Sequence, residues 1–425
     1  DKLLGDSNGF ATGSTFKAFT LATFLNDGNS LNDFVDASQT TRPGNDFTAC
    51  GKKVGGTPYH FNNSEKDLSG SMTALEATYN SVNTAFVDME SRVDLCDLVV
   101  LAGKLGMHMA SQPSIRCGST TWKGVALDYK KDPLLTPYCG PALTLGPNPV
   151  APLTMAAAYA AFSADGKFCE PRPVVSIKDR AGKDQPVPGL KCSQALSADV
   201  AHGVTYALKR VLTQGTAAGK GIGVPSAGKT GTSDSSGNTW FVGYTASLST
   251  AVWVADPNTY PKEVTSLSSG QRALARITIN GHWWREVFGA DIAGAIWHDL
   301  MSSATRGRDN HDWPDPPGSM LQSSGVQVPD VTGQPVAQAA AALTGAGFQV
   351  NMAGMQPGPA PAGSVAKTSP AGGSLAAPGS TITIYISDGS QGGNGYQGGN
   401  GNGHGNGNGH QPGPGLPIWP PGPNR

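Results

Sequence analysis

Wherever the apolar residues of this chain keep a period before Leu212 it is helical, and from Gly228 they change to a period of two. Residues 228–232, 239–245 and 251–255 alternate as strands, joined by 233–238 and by the short turn 246–249. Connections that short place neighbouring strands antiparallel. Residues 292–301 then return to helical spacing, with Ile292, Ala295, Ile296, Trp297 and Leu300 available to pack on the sheet, and 302–308 end the unit. Helices, then an antiparallel sheet, then a helix describe an α/β domain of the α+β kind, a sheet flanked by helices.

The helical part opens at Ser14-Thr15-Phe16-Lys17, directly after Gly13. Phe16, Phe19, Ala22 and Leu25 recur near helical spacing and Asn26-Asp27-Gly28 stops the run, so 14–25 reads as one buried helix with Ser14 at its start. Residues three apart share a helix face, which sets the Lys17 amine beside the Ser14 hydroxyl. A desolvated, neutral lysine there could take the serine's proton. The set alone is weak, because a capped helix with a solvated lysine has the same spacing.

Further on, 29–70 is polar, rich in Gly and Pro and without a period, so it reads as an irregular excursion of the kind that roofs clefts. Met72, Leu75 and Tyr79 share one helix face, and Ala85, Phe86 and Met89 share another. Ser81-Val82-Asn83 is the corner between them. Residues 93–105 form an amphipathic helix ending at Gly106, and 111–149 are loop-rich with repeated prolines. Pro152 opens a helix that closes at Asp165-Gly166. Ser197 caps the run Val200, Val204, Leu208, Val211 and Leu212, which ends at Gln214-Gly215-Thr216.

Composition separates the rear of the chain from the front. Much of the excess of glycine (57) and proline (32) among the 425 residues lies beyond residue 310. Residues 309–325, with Pro314, Pro316 and Pro317, read as a linker after a first domain spanning 1–308. Residues 326–388 carry a short Ala-rich helix over 337–346 and strand-like stretches at 348–351 and 381–386, a small α+β module. Residues 389–425 hold almost only Gly, Asn, Pro, His and Gln and are expected to be disordered.

Lys plus Arg (30) balances Asp plus Glu (31), which offers no electrostatic footprint for nucleic acid. The stretch 1–12 has neither the basic head nor the apolar run of a signal peptide, and no run is long enough to span a bilayer. The chain opens without Met almost on top of its first motif and so reads as a piece of a longer protein.

Six cysteines (Cys50, Cys96, Cys117, Cys139, Cys169 and Cys192) have no Cys-x-x-Cys or His pairing, and His60, His108, His202, His282, His298, His404 and His410 show no metal spacing. No metal and no cofactor are expected. Cys117 with Cys139, and Cys169 with Cys192, each bracket a proline-containing segment, so loop-closing disulfides compete with buried thiols as the reading.

Three pieces stand in order: Ser14-x-x-Lys17, Ser81-Val82-Asn83, and Lys229-Thr230-Gly231-Thr232 on an apparent edge strand. This set is the signature of serine β-lactamases and penicillin-binding proteins, with Val82 in place of the more familiar Asp. The flanks Ala18-Phe19, Met155 to Phe162 and Thr239-Trp240-Phe241-Val242-Gly243-Tyr244 extend the match. The chain resembles the transpeptidase domain of a penicillin-binding protein, which implies the penicillin-binding-protein/serine β-lactamase-like fold. Val328-Pro329-Asp330-Val331, with the short helix and strands after it, resembles a PASTA domain over 326–388. The pair with the Gly/Asn/Pro tail is similar to the class A, bifunctional penicillin-binding proteins of mycobacteria and their relatives.

That resemblance implies a D,D-transpeptidase. Ser14 is the nucleophile, Lys17 its base, Ser81 a proton relay, Asn83 a ligand of Lys17 and of the substrate's peptide carbonyl, and Lys229 the electrostatic support of the relay. Thr230 and Thr232 offer hydroxyls to the substrate carboxylate, Gly231 lets its backbone approach, and the N–H groups of Ser14 and Thr232 form the oxyanion hole. The partners implied are peptidoglycan stem peptides as donor and acceptor, β-lactams as covalent inhibitors, and other cell-wall synthesis proteins. Also implied, upstream of this chain, are the first sheet strands, a glycosyltransferase domain and a membrane anchor that sets the enzyme on the outer face of the membrane. A sheet without its first strands is expected to be unstable alone.

A class A β-lactamase needs a glutamate followed four residues later by Asn. Between Asn83 and Lys229 the glutamates are Glu90 and Glu170, followed at that offset by Asp94 and Val174, which weakens that reading. A D,D-carboxypeptidase, which shares all three motifs, and a β-lactam sensor or wall-binding role are the rival functions.

Overall fold

The computed structural model describes residues 9–64, 68–108, 121–122, 125–126, 140–233, 236–255, 274–323 and 325–390. Cys117, Cys139 and the tail from 391 on therefore lie outside the described residues.

Strand β1 (Phe10–Ala11) leads into a 3-10 turn, Gly13–Phe16, and helix α1 (Lys17–Asn26). The expected single helix is thus divided. Ser14 sits on the tighter turn and Lys17 begins the α-helix, which is buried from Lys17 to Leu25. Strand β2 (Phe34–Asp36) pairs with β3 (Ser71–Thr73) across the excursion, which carries short two-stranded ladders rather than none. Helix α2 (Ala74–Tyr79) starts with a capping box formed by Thr73 and Glu76. Helices α3 (Asn83–Ser91) and α4 (Leu95–Lys104) come next, and Ser81 forms the α2–α3 corner. Beyond a 3-10 turn, Leu143–Leu145, strand β4 (Pro149–Val150) pairs with β1, and α5 (Pro152–Ser163) begins with proline at its first turn.

Helix α6 (Ala198–Thr213) precedes the central sheet of β5 (Ala227–Thr232), β6 (Thr239–Tyr244) and β7 (Ser249–Val254), antiparallel in that order, with β5 as an outer strand. Along β6 the side chains divide between two covered faces. Tyr244 meets Tyr159 of α5 at 6.3 Å between ring centroids, and Phe241 packs at 4.8 Å on Trp297. Every β6 residue is buried, as expected of a strand covered on both sides. Trp240, Phe241 and Tyr244 are core residues there.

A hairpin that apolar periodicity did not announce, β8 (Ala275–Ile279) and β9 (His282–Glu286), comes after the sheet. None of its residues is buried, and only its first strand alternates, Ala275, Ile277 and Ile279 against Arg276 and Thr278. Helix α7 (Ile292–Ala304) lays Trp297 over Gly243, where a Cβ would stand 2.7 Å from the indole, too close for any side chain.

The Pro-rich stretch read as a linker makes contacts with the first domain. Trp313 is buried and donates from Nε1 to the Ser163 carbonyl at 3.0 Å, with its ring edge-on to Tyr244. The Met320 carbonyl accepts from Leu31 N and Ser30 Oγ, and the Leu321 carbonyl from Asn32 Nδ2. The rear module consists of α8 (Val336–Gly345) with β10 (Gln349–Gln356), β11 (Val365–Ser369) and β12 (Thr381–Ser387). β10 runs parallel and β11 antiparallel to the central β12, around a core that includes Val328, Leu343, Phe348 and Ile384.

Two disulfides lie among the described residues, Cys169–Cys192 and Cys50–Cys96. The second ties the excursion to α4 and was not visible in the spacing. Asp94, the cap of α4, accepts from the amides of Cys50, Gly51 and Cys96 and holds the same junction by hydrogen bonds. No helix among the described residues is long and apolar enough to cross a membrane.

Candidate active site

The cleft, of about 460 Å³, is lined by Ser14 from the 3-10 turn, Ser81 and Asn83 from the corner and start of α3, and Thr230 and Thr232 from β5. The three sequence motifs converge on it from three elements. Gly13 adopts a left-handed φ of 53° against the backbone of Thr232, where a Cβ would lie 2.9 Å from its carbonyl. Gly231 passes equally close to the carbonyl of Thr12, at 2.7 Å from a built Cβ. Glycine at both positions lets the serine turn press against the strand edge, which brings Ser14 and Thr232 to the same end of the cleft.

Behind the cleft, Lys17 and Lys229 are both 0% exposed and form no ion pair among the described residues. Lys17 Nζ donates to the Ser81 carbonyl and to Asn83 Oδ1, each at 2.6 Å, and lies 3.3 Å from Ser81 Oγ, with the Phe86 ring 5.2 Å away. Lys229 Nζ donates to Ser81 Oγ at 2.7 Å and to the Thr230 carbonyl at 3.1 Å. Ser81 itself has a left-handed φ of 58°, a costly geometry for a residue with a side chain, and both its carbonyl and its hydroxyl reach the lysines. One hydroxyl is held between two amines.

Burial lowers the pKa of both. Lys17 is held well below the ordinary lysine value, by desolvation first and by the Lys229 charge second. Desolvation brings Lys229 down to about 7. A neutral Lys17 has two N–H bonds, which the Ser81 carbonyl and Asn83 Oδ1 occupy, and its lone pair is left for a hydroxyl proton. Among the described residues no hydrogen bond joins Lys17 to Ser14 Oγ. Ser14 lines the cavity.

The remaining candidates have defined partners. Asn83 Nδ2 donates to the Asn62 carbonyl at 2.7 Å, fixing which end of the amide faces Lys17. Thr230 Oγ1 shares a hydrogen bond of 2.7 Å with Thr216 Oγ1, and Thr232 Oγ1 accepts from the Gly289 amide at 3.2 Å. Thr230 and Thr232 keep further capacity toward a ligand.

Several lining residues escaped the motif reading. Asn62, Asn63 and Ser64 come from the excursion, Glu286 from the end of β9, and Phe288, Gly289 and Asp291 from the segment between β9 and α7. Asn63 clasps the start of α3, accepting from the Thr84 amide and donating to Thr84 Oγ1 and the Leu68 carbonyl. The polar, aperiodic composition of 29–70 was the signal for the first group. No periodic signal marks the second.

Three props hold the nucleophile turn from behind. Tyr159 Oη donates to the Thr15 carbonyl at 2.7 Å, Trp240 Nε1 to the Ala11 carbonyl at 2.8 Å, and the Gly13 amide to the Gly146 carbonyl at 3.0 Å.

The family model described as the penicillin binding protein transpeptidase domain matches residues 7–277, and that of the PASTA domain matches 326–388. Penicillin-binding protein 1A of Mycobacterium tuberculosis is 28% identical over 317 residues, covering 72% of this chain and 34% of that protein. Its counterpart in Mycolicibacterium smegmatis is 27% identical over 327 residues, covering 73% and 36%. The solved structure of PonA1 from Mycobacterium tuberculosis in complex with penicillin V superposes with a TM-score of 0.54 at 26% identity, covering 73% of each chain. Penicillin-binding protein 1A from Haemophilus influenzae, at 19% identity and a TM-score of 0.53 over 73% of this chain and 44% of that one, shares the fold. This chain belongs to the penicillin-binding protein transpeptidase family and carries a PASTA domain at its rear.

Proposed function

We propose that the chain is a peptidoglycan D,D-transpeptidase acylated at Ser14. The observation that carries this reading is the pair of buried, uncompensated lysines flanking the Ser81 hydroxyl at the back of the cleft that Ser14 lines. Neutral Lys17 takes the Ser14 proton, and Ser14 Oγ attacks the carbonyl between two D-alanines. The oxyanion is met by the N–H groups of Ser14 and Thr232, an interaction commonly worth about 3 kcal/mol. The proton returns through Ser81 to the departing amine, with Lys229 holding the relay, and the terminal D-alanine leaves. The Asn83 amide has one N–H beyond its bond to the Asn62 carbonyl with which to bind the donor peptide. Thr230 and Thr232 take the terminal carboxylate, and Gly231 lets the substrate backbone lie along β5. An amine of a second stem peptide then attacks the acyl-enzyme and closes the cross-link. A β-lactam enters the same first step and stays.

The chain spans 34% and 36% of the two mycobacterial relatives. We propose on the family resemblance that the whole protein adds a glycosyltransferase domain and a membrane anchor, and works on the outer face of the membrane.

The test is incubation with a D-Ala-D-Ala stem peptide and a diamino-acid acceptor. Cross-linked product with release of D-alanine is expected. Free D-alanine without cross-link would make it a carboxypeptidase. A fluorescent penicillin that labels the Ser14→Ala chain as well as the natural one would remove Ser14 from its role.

A further inference from the structure

We infer that Glu90 is a positioning residue for the nucleophile: its buried carboxyl fixes the turn Leu143–Leu145, and that turn holds the backbone that presents Ser14. The inference rests on Ser14 being the acylated residue.

Glu90 lies in the last turn of α3, the helix that begins at Asn83, and is 0% exposed. Its Oε1 accepts from the Thr144 amide at 2.9 Å, while its Oε2 is buried without a hydrogen-bond partner. Thr144 is tied on its other side to α1, where its hydroxyl lies 2.8 Å from that of Thr20, one turn beyond Lys17. Two residues later the Gly146 carbonyl accepts from Gly13 N at 3.0 Å and from Thr12 Oγ1 at 3.3 Å. Gly146 is left-handed, with a φ of 68°, and a Cβ there would stand 2.2 Å from the Gly13 carbonyl. The contact has no slack, so a displacement of this turn moves Gly13, and Gly13 sits against Thr232. The path from Glu90 through Thr144 and Gly146 ends at both N–H groups assigned to the oxyanion hole.

The chemistry of the carboxyl fits support rather than proton transfer. It is enclosed away from the cleft and does not line it. An apolar side chain of similar size would remove the orphan oxygen but leave the Thr144 N–H unmet in the core. Burial pushes the carboxyl above the usual carboxylate range and so disfavours its charged form, while its Oε1 serves as the acceptor for the Thr144 amide. Glutamine supplies the same acceptor in nearly the same shape.

The experiment measures acylation of the full chain by a fluorescent penicillin, separating encounter affinity from the rate of the covalent step. Glu90→Gln is expected to acylate close to the natural rate. Glu90→Met, which fills the site without an acceptor, is expected to slow the covalent step by at least about ten-fold with encounter affinity unchanged, the signature of a misplaced reacting group. Glu90→Asp, which withdraws the acceptor by one methylene, is expected to fall between them. In the natural chain the amides of Gly13 and Thr144 are expected to exchange with solvent in one opening event, a measurement that needs no variant. Acylation of Glu90→Met at the natural rate, equal slowing in Glu90→Gln, or independent exchange of the two amides would overturn the inference. If the natural chain is not labelled, the assignment of Ser14 fails instead.

Discussion

At the residue scale the site is governed by how two lysines share one hydroxyl without a carboxylate to neutralise them. Protonating both would bury two like charges around Ser81, so the working state carries at most one. Burial first and the Lys229 charge second favour the neutral form of Lys17, whereas Lys229, lowered by burial to about 7, gives up its proton around neutrality. Acylation by a β-lactam is therefore expected to rise with pH as Lys17 loses its proton, then fall above about 7 as Lys229 loses its own, a bell measured by stopped-flow labelling between acid and alkaline buffers. An alkaline limb unchanged in Lys229→Arg would contradict the assignment. Replacing either lysine by Ala is expected to slow acylation by about 10² or more, the usual contribution of a proton-transferring group.

The same shift fixes the sign of the stability profile. Lys229 binds its proton with a pKa of about 7 when folded against an ordinary 10.5, so between those values the unfolded chain holds the extra proton. Stability then rises with pH across that window, because the folded state no longer has to bury the charge. The urea midpoint is expected to increase from pH 7 to 9.5, and to increase less in Lys229→Met. The three motifs that meet at the cleft were legible in the sequence because each is short and is built from few residue types. Glu90 was visible only as a glutamate without the partner that would have made it a hydrolase.

At the scale of elements, the nucleophile turn is a 3-10 segment kept in place by side chains from distant helices and strands. Tyr159→Phe leaves the Thr15 carbonyl buried without its donor and is expected to cost about 1–3 kcal/mol in chemical denaturation, with slower acylation. Gly289→Ala would place a Cβ 2.3 Å from the Trp240 carbonyl and 2.6 Å from that of Gly231, pushing the segment after β9 off the strand that carries the third motif. A full labelling rate in that variant would show that the rim is not needed. The Cys50–Cys96 bridge closes 46 residues, and the chain entropy it removes is worth about 4 kcal/mol, read as a lower melting temperature of Cys50→Ser.

Helices, the sheet strands and their order followed from periodicity, since each buries a continuous face. The β8–β9 hairpin was missed because it buries no face and only its first strand alternates, and the Cys50–Cys96 pairing because nothing local in the sequence brings α4 to the excursion. Asn62 and Asn63 lie in polar sequence whose role is set only by where α3 begins.

At the scale of the whole molecule, residues 309–323 decide how the rear module is attached. Their prolines and lack of period suggest a free spacer, yet Trp313 fills a pocket beside Tyr244 and the carbonyls at 320 and 321 are bound by residues 30–32. Those two carbonyls end a 3-10 turn, Gly318–Leu321, which starts after the extended Pro317. Trp313→Ala is expected to lower the stability of the first domain by about 3–5 kcal/mol in chemical denaturation. Ending the chain after residue 308 should do comparable harm, whereas ending it after 323 should not.

This attachment also sets how the rear module can search its surroundings. A flexible spacer would let it sweep a broad volume and find partners by diffusion at a distance. With 309–323 fastened along the first domain, few residues lie between that attachment and the strand Val326–Gln327. A tether of that length confines the module to the neighbourhood of the first domain instead of letting it range over a wide volume.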